Sequence, residues 1–198
     1  MSIDAARRAG RTRLTPERER ELYAAVVELL REAGYEALTM DAVAARTRSS
    51  KATLYRQWKG KPELVIAALR DHKPVRVQDI DTGSLAGDLR ELVRQMGNRG
   101  QQDAALMRAL VHAIEQDADL ARVFQESIVR PEIDALHKML DRAASRRELD
   151  PKRPARAFLP HLMVGALITR PLVENRPADR PYLRRYVDAV VLPALGLE

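Results

Sequence analysis

At 198 residues the chain holds one mid-sized domain or two small ones, and its 45% hydrophobic and 31% charged content suits a soluble globular fold. Aromatic residues make up only 4%, so the core must come mostly from Leu, Val, Ala and Met, a set that favours helix over sheet. With no cysteine and a formal charge of +6, the chain excludes disulfides, thiolate catalysis, Cys-zinc sites and thiol redox sensing, a composition compatible with the cytoplasm.

The positive charge is denser at the start. Residues 1–72 carry 14 Lys/Arg against 10 Asp/Glu, while residues 73–198 carry 20 against 18. Such an excess is expected of a nucleic-acid footprint, and equally of a merely solvated basic surface. No apolar run has the length of a membrane span, and no apolar segment follows the early arginines, so neither a transmembrane helix nor a secretory signal is expected.

Residues 1–14 lack periodicity and hold Arg7, Arg8, Arg11 and Arg13, which reads as a flexible basic arm. A first helix then starts at Thr15 as N-cap, with Pro16 and Glu17 in its first turn. Leu22, Val26, Leu29, Leu30 and Ala33 form one apolar stripe, and Gly34 supplies the stop. Thr39 caps a second short helix with Met40, Val43 and Ala44 facing inward. Thr47–Ser49 form a turn, and Ser50 caps a third helix on which Leu54 and Trp58 face inward. Gly60 and Pro62 restart the chain into a fourth helix with Leu64, Ala67, Ala68 and Leu69 on its inner face. Pro74 and Gly83 mark residues 73–83 as a linker. Beyond it, helices are expected near 84–97, 102–116, 118–146, 151–174 and 179–195, with Pro131 kinking or breaking the longest.

The chemistry concentrates in the second and third helices. From Arg46 to Lys61 there are six basic residues and no acidic one. A helix that reads bases in a major groove needs short side chains at its exposed start, and Ser50, Ala52 and Thr53 meet that need. Thr53 can bond a base edge or touch a thymine methyl, and Lys51 can reach a guanine edge or a phosphate. Thr39, Tyr55, Lys61 and the N-terminus of the second helix are candidate phosphate contacts. Trp58 reads as core, whereas Tyr55 is open to either reading.

The stretch GYEALTMDAVAARTRSSKATLYRQWKGKPEL resembles the DNA-binding domain of the tetracycline-repressor (TetR) family of regulators. The matching pieces are Gly34-Tyr35…Leu38-Thr39, Val43-Ala44-Ala45, Ser50-Lys51-Ala52-Thr53-Leu54-Tyr55 with Trp58, and Lys61…Glu63-Leu64. The resemblance covers roughly residues 15–72. It implies DNA-contacting roles for Thr39, Ser50, Lys51, Thr53, Tyr55 and Lys61, with Tyr55 and Lys61 on phosphates. Two positions depart from the family turn, commonly Ala-Gly-Val-Ser. Arg48 replaces a glycine that tolerates a left-handed backbone, and Ser49 replaces an apolar plug. Arg48 is expected to add a phosphate contact.

The family layout further implies an all-α fold: an N-terminal three-helix helix-turn-helix domain at 15–72 and a helical ligand-binding and dimerisation domain at 84–198. Segment 155–173 is apolar on nearly all sides and must be buried against several helices; 182–195 offers Leu183, Tyr186, Val187, Val190 and Val191 as a stripe. Together they are expected to form a homodimer interface, with a purely intrachain core as the alternative. Met96, Met107, Phe124, Ile128, Phe158 and Leu162 are the candidates for contact with an apolar small-molecule effector, or else ordinary core. His112-x-x-Glu115 and Asp134-x-x-His137 lack a third ligand, so no metal site or cofactor is expected. The reading that follows is a dimeric, ligand-responsive regulator, taken as a repressor, of double-stranded DNA. A constitutive DNA-binding regulator is the alternative. A helical enzyme has neither a nucleophile–base pair nor a phosphate loop in its favour.

Overall fold

A computed structural model describes residues 14–72, 75–97, 106 and 110–197. Among them every regular element is helical and none is a strand. In chain order the helices are α1 (Pro16–Ala37), α2 (Met40–Thr47), α3 (Lys51–Gln57), α4 (Lys61–His72) and α5 (Leu85–Gly97), then α6 (110–116), α7 (Ala118–Phe124), α8 (Arg130–Ser145), α9 (Leu159–Glu174), α10 (Arg180–Tyr186) and α11 (Leu192–Leu195). They fall into two compact units, one from residues 1–73 and 105–128, the other from 74–104 and 129–198. Each has its own hydrophobic core.

In the first unit the expected caps are in place. Backbone N–H groups of Arg18, Ala42 and Thr53 donate to the hydroxyls of Thr15, Thr39 and Ser50 at 3.3, 3.1 and 3.1 Å. Leu22, Val26, Leu29 and Leu30 are buried as the stripe predicts, joined by Val27, while Ala33 is exposed. Gly34 interrupts the helical backbone just beyond it with φ of +77°, turning Tyr35 and Leu38 into the core instead. On α4, Leu64, Val65, Ile66 and Ala68 are all buried, so this helix needs cover on more than one side. α1 covers one side and α7 another. Leu106, Leu110, Ala113, Leu120 and Val123 complete the same core. The division read from the sequence at 73–83 therefore does not coincide with the division of the packing.

Residues 75–83 are not a free linker. Val75, Val77 and Ile80 are buried in the core of the second unit, and the 3-10 turn Val77–Asp79 packs on α8. The buried carboxylate of Asp88 accepts the Thr82 backbone N–H at 2.6 Å and its hydroxyl at 2.8 Å, while Glu148 accepts the Leu85 N–H at 2.6 Å, so the start of α5 is capped across the fold.

Pro131 acts as expected on the long helix, but through a change of winding rather than a break. A π-helical turn, Gln125–Val129, precedes it, and a second, Val187–Val191, precedes Pro193. Each proline lacks the N–H for the carbonyl four residues back, and the wider turn takes up that irregularity.

α9 is buried on one side only. Leu159, Met163, Ala166 and Arg170 face the core, while Val164, Ile168 and Leu172 lie in water, Leu172 78% exposed. Within one chain, α8 and the start of α10 cover α9 on one face and leave the other uncovered. Arg170, 4% exposed, is held by Asp179 at 2.8 Å and Glu174 at 3.3 Å, with its guanidinium 4.1 Å from the Tyr182 ring centroid. Most of the 182–195 stripe turns inward. Leu183, Val187 and Val191 are buried, Tyr186 is half-buried and Val190 is exposed.

Candidate nucleic-acid interface

Two helix starts and the turn between them build the basic surface. α2 ends at Thr47, and Arg48 follows with φ 51° and ψ 36°, the left-handed conformation. The Ser49 N–H reaches the Ala44 carbonyl at 3.0 Å and the Arg48 N–H the Ala45 carbonyl at 3.3 Å, the bond pair of a Schellman cap. Such a cap normally places glycine where Arg48 stands and an apolar contact where Ser49 stands. The turn keeps its geometry nonetheless. Arg18, which sequence reasoning passed over, donates to the Thr47 carbonyl and pairs with Glu21 at 2.7 Å. Arg46 crosses to Glu32 at 2.7 Å and holds the Glu32 carboxyl below its ordinary pKa. It therefore ties α2 to α1 rather than adding free positive charge.

α3 presents its start to water. Ser50, Lys51 and Ala52 are exposed and Thr53 half-buried. The Ser50 and Thr53 hydroxyls lie 2.9 Å apart and share a hydrogen bond, leaving one O–H to donate outward. Tyr55 is 54% exposed, so of its two open readings the core one is removed. Trp58 is 7% exposed and meets the Tyr23 ring edge-on at 5.8 Å, which places it in the core as expected. Thr39 is exposed; its hydroxyl accepts from Ala42 and still has a hydrogen to give.

Lys61 is half-buried and engaged. Its ammonium donates to the Tyr35 carbonyl at 2.9 Å and sits 4.0 Å from the Tyr35 ring centroid, so two of its three N–H bonds remain for another partner. Beneath it the Tyr35 hydroxyl donates to Asp117 at 2.7 Å. Asp117 in turn caps α7 through the Leu120 N–H at 2.9 Å. Burial, then the bond to Asp117, push the Tyr35 hydroxyl well above its ordinary pKa. The Leu120 N–H, then Tyr35, hold the Asp117 carboxyl below its own. Lys51 is paired as well, its ammonium 2.6 Å from Asp41 in the first turn of α2. Neither Asp41 nor Arg18 carried a local signal of its contact, because the turn alone brings positions ten and twenty-nine apart together.

The candidate effector residues pack on different cores. Met96 and Leu162 pack on the core of the second unit, Phe124 and Ile128 on that of the first. Phe158 is 59% exposed beside the His161 ring, which corrects its expectation as an inward residue. Met107 and the arm at 1–13 lie outside the described residues.

A capped, exposed recognition helix, set by a tight turn against the short helix before it and followed by a helical C-terminal domain, defines a helix-turn-helix DNA-binding regulator. Comparison with known proteins names its kind. The model "Bacterial regulatory proteins, tetR family" matches residues 22–68, and "Tetracyclin repressor-like, C-terminal domain" matches residues 79–190. An uncharacterized HTH-type transcriptional regulator of Mycobacterium tuberculosis, Rv1556, is 36% identical over 90% of this chain and 88% of its own. The DNA-binding transcriptional repressor TetR of Mycobacteroides abscessus is 32% identical over 88% of this chain and 92% of its own. The solved structure of the TetR family transcription regulator SCO0332 superposes with a TM-score of 0.66 at 25% identity, covering 88% of this chain and 97% of its own. The chain belongs to the TetR family of transcriptional regulators, a family of DNA-binding proteins and not of enzymes.

Proposed function

We propose that this regulator works as a cytoplasmic homodimer that occupies a pseudo-palindromic operator and leaves it when an apolar small molecule binds. The observation that carries the reading is the open face of α9, where Val164, Ile168 and Leu172 recur at helical spacing in water. An apolar line of this kind on a helix is stabilised by covering it with its own copy across a twofold axis. Pairing puts two α3 helices on one duplex, and two short readers about 34 Å apart address a site that one alone is too short to specify. Within each half, Ser50, Lys51 and Thr53 face the bases, while Thr39, Arg48, Tyr55 and Lys61 hold phosphates. The 32% identity to a repressor supports repression by occupancy.

By role, residues 15–72 read DNA and residues 84–198 carry dimerisation and effector binding. Phe124 and Ile128, which pack on the core of the first unit, are the apolar contacts offered to the effector. α4 is the transmission route, since α7 lies against it and α1 on its other side. Release is a population shift: the effector must bind more tightly to a form whose readers no longer match one helical turn.

The test uses duplexes recovered from genomic fragments by the full chain. Tyr55→Ala removes an exposed side chain, so stability changes by less than about 0.5 kcal/mol. Affinity for the recovered duplex falls at least tenfold. Undiminished affinity would overturn the reading. A small molecule that lowers wild-type affinity for that duplex separates ligand response from constitutive binding.

A further inference from the structure

We infer that Asp41 is a specificity-determining residue that acts by holding Lys51 away from DNA of the wrong sequence. This rests on the proposed role of Lys51 at a base edge. The Lys51 ammonium stands 2.6 Å from the Asp41 carboxylate, and both side chains are exposed. The two residues belong to the first turns of α3 and α2, so both stand on the surface proposed to meet DNA. Elsewhere on the surface an acidic partner ties a basic residue back into the protein, as Glu32 does Arg46. Asp41 does something different, because it leaves its partner on the reading face.

An exposed pair of this kind adds little to the stability of the fold. Its effect is on the balance of contacts. On an arbitrary duplex a released Lys51 would gain a phosphate, a contact open to every sequence. Held by Asp41, it makes none. On the cognate duplex the exchange differs, since a guanine edge offers the ammonium two acceptors at a fixed position. Lys51 then leaves Asp41 only where the base is right. The pair lowers non-specific affinity more than specific affinity, and the ratio of the two is what a regulator needs among many competing sites.

The experiment measures the affinity of the full chain for a duplex recovered by selection and for a scrambled duplex of equal length, across a salt series. Asp41→Asn keeps the shape of the side chain and frees Lys51. Affinity for the scrambled duplex rises roughly fivefold, its salt slope steepens by about one, and affinity for the selected duplex changes less. Lys51→Ala weakens the selected duplex while leaving the scrambled one nearly unchanged. In the double variant the gain on scrambled DNA disappears. An unchanged ratio in Asp41→Asn overturns the inference and leaves the reading of Lys51 standing. A gain that persists in the double variant also overturns it, because Asp41 would then act by repulsion alone. Lys51→Ala without effect on the selected duplex overturns that reading and the inference with it.

Discussion

Replacing Arg48 by glycine should stabilise the fold and weaken DNA binding at once. Arg48 holds φ 51° and ψ 36° at the end of α2, a conformation that costs a side-chain-bearing residue about 1–2 kcal/mol. Glycine removes that strain but adds about 0.5–1 kcal/mol of unfolded-state entropy. Both cap bonds, from the N–H groups of Arg48 and Ser49 at 3.3 and 3.0 Å, survive the change because they are backbone bonds. The net gain is about 0.5–1 kcal/mol, or roughly 1–4 °C in the melting temperature of a chain of this size. Trp58 is the single tryptophan and lies in the core of the first unit, so its fluorescence in urea reports the unit that contains the turn. Arg48→Gly should raise that midpoint with the slope unchanged. The same variant, and Arg48→Ala, should each lower the salt slope of duplex binding by about one, as expected for one lost phosphate contact. A midpoint that stays or falls would refute the strain, and an unchanged slope in both variants would refute the contact.

Tyr35→Phe removes the hydroxyl that Asp117 accepts at 2.7 Å, and should destabilise the first unit by about 1–2 kcal/mol by Trp58 fluorescence. The Asp117 carboxyl is held below its ordinary pKa by the Leu120 N–H and by Tyr35. Its contribution is therefore fully present above the unfolded-state pKa of about 3.9 and is lost as pH falls through the depressed folded value. The variant should show a shallower loss of stability over that acid range, and an identical pH profile would show that the bond does not hold Asp117. Ile168 is 46% exposed on the open face of α9. Ile168→Glu should leave the helical circular dichroism intact, shift the sedimentation mass from dimer to monomer and lower operator affinity at least tenfold; a variant that stays dimeric would place the interface elsewhere.

What was legible in the sequence was local. Thr15, Thr39 and Ser50 announce three helix starts because a cap needs only the next three residues. Leu54 and Trp58 announce their burial because four positions make one turn. The left-handed backbone at Arg48 was legible through the departure from the family turn. Contacts across the fold were not. Lys51 meets Asp41, Arg18 meets Thr47 and Tyr35 meets Asp117 only once helices are packed. Asp117 caps α7 locally, but it also fastens α7 to Tyr35, just past the Gly34 kink in α1, and only the first of these has a local sign. Pro74 and Gly83 suggested a linker, yet Val75, Val77 and Ile80 between them are buried. Alternating apolar residues in so short a stretch were outweighed by the two breakers that bound it. The run Leu64-Val65-Ile66-Ala67-Ala68-Leu69 held a further sign, since six consecutive apolar positions exceed what one neighbour can cover. The effector residues were the least legible. Met and Phe at helical spacing fill a core as readily as they line a cavity, and the fold divides them between two cores.

The most direct test is the footprint of the full chain on a duplex recovered from genomic fragments. A dimer reading through paired α3 helices protects two half-sites in inverted orientation, their centres about one helical turn apart, and loses both together in Ile168→Glu. Protection of a single asymmetric half-site, unchanged in that variant, would contradict it.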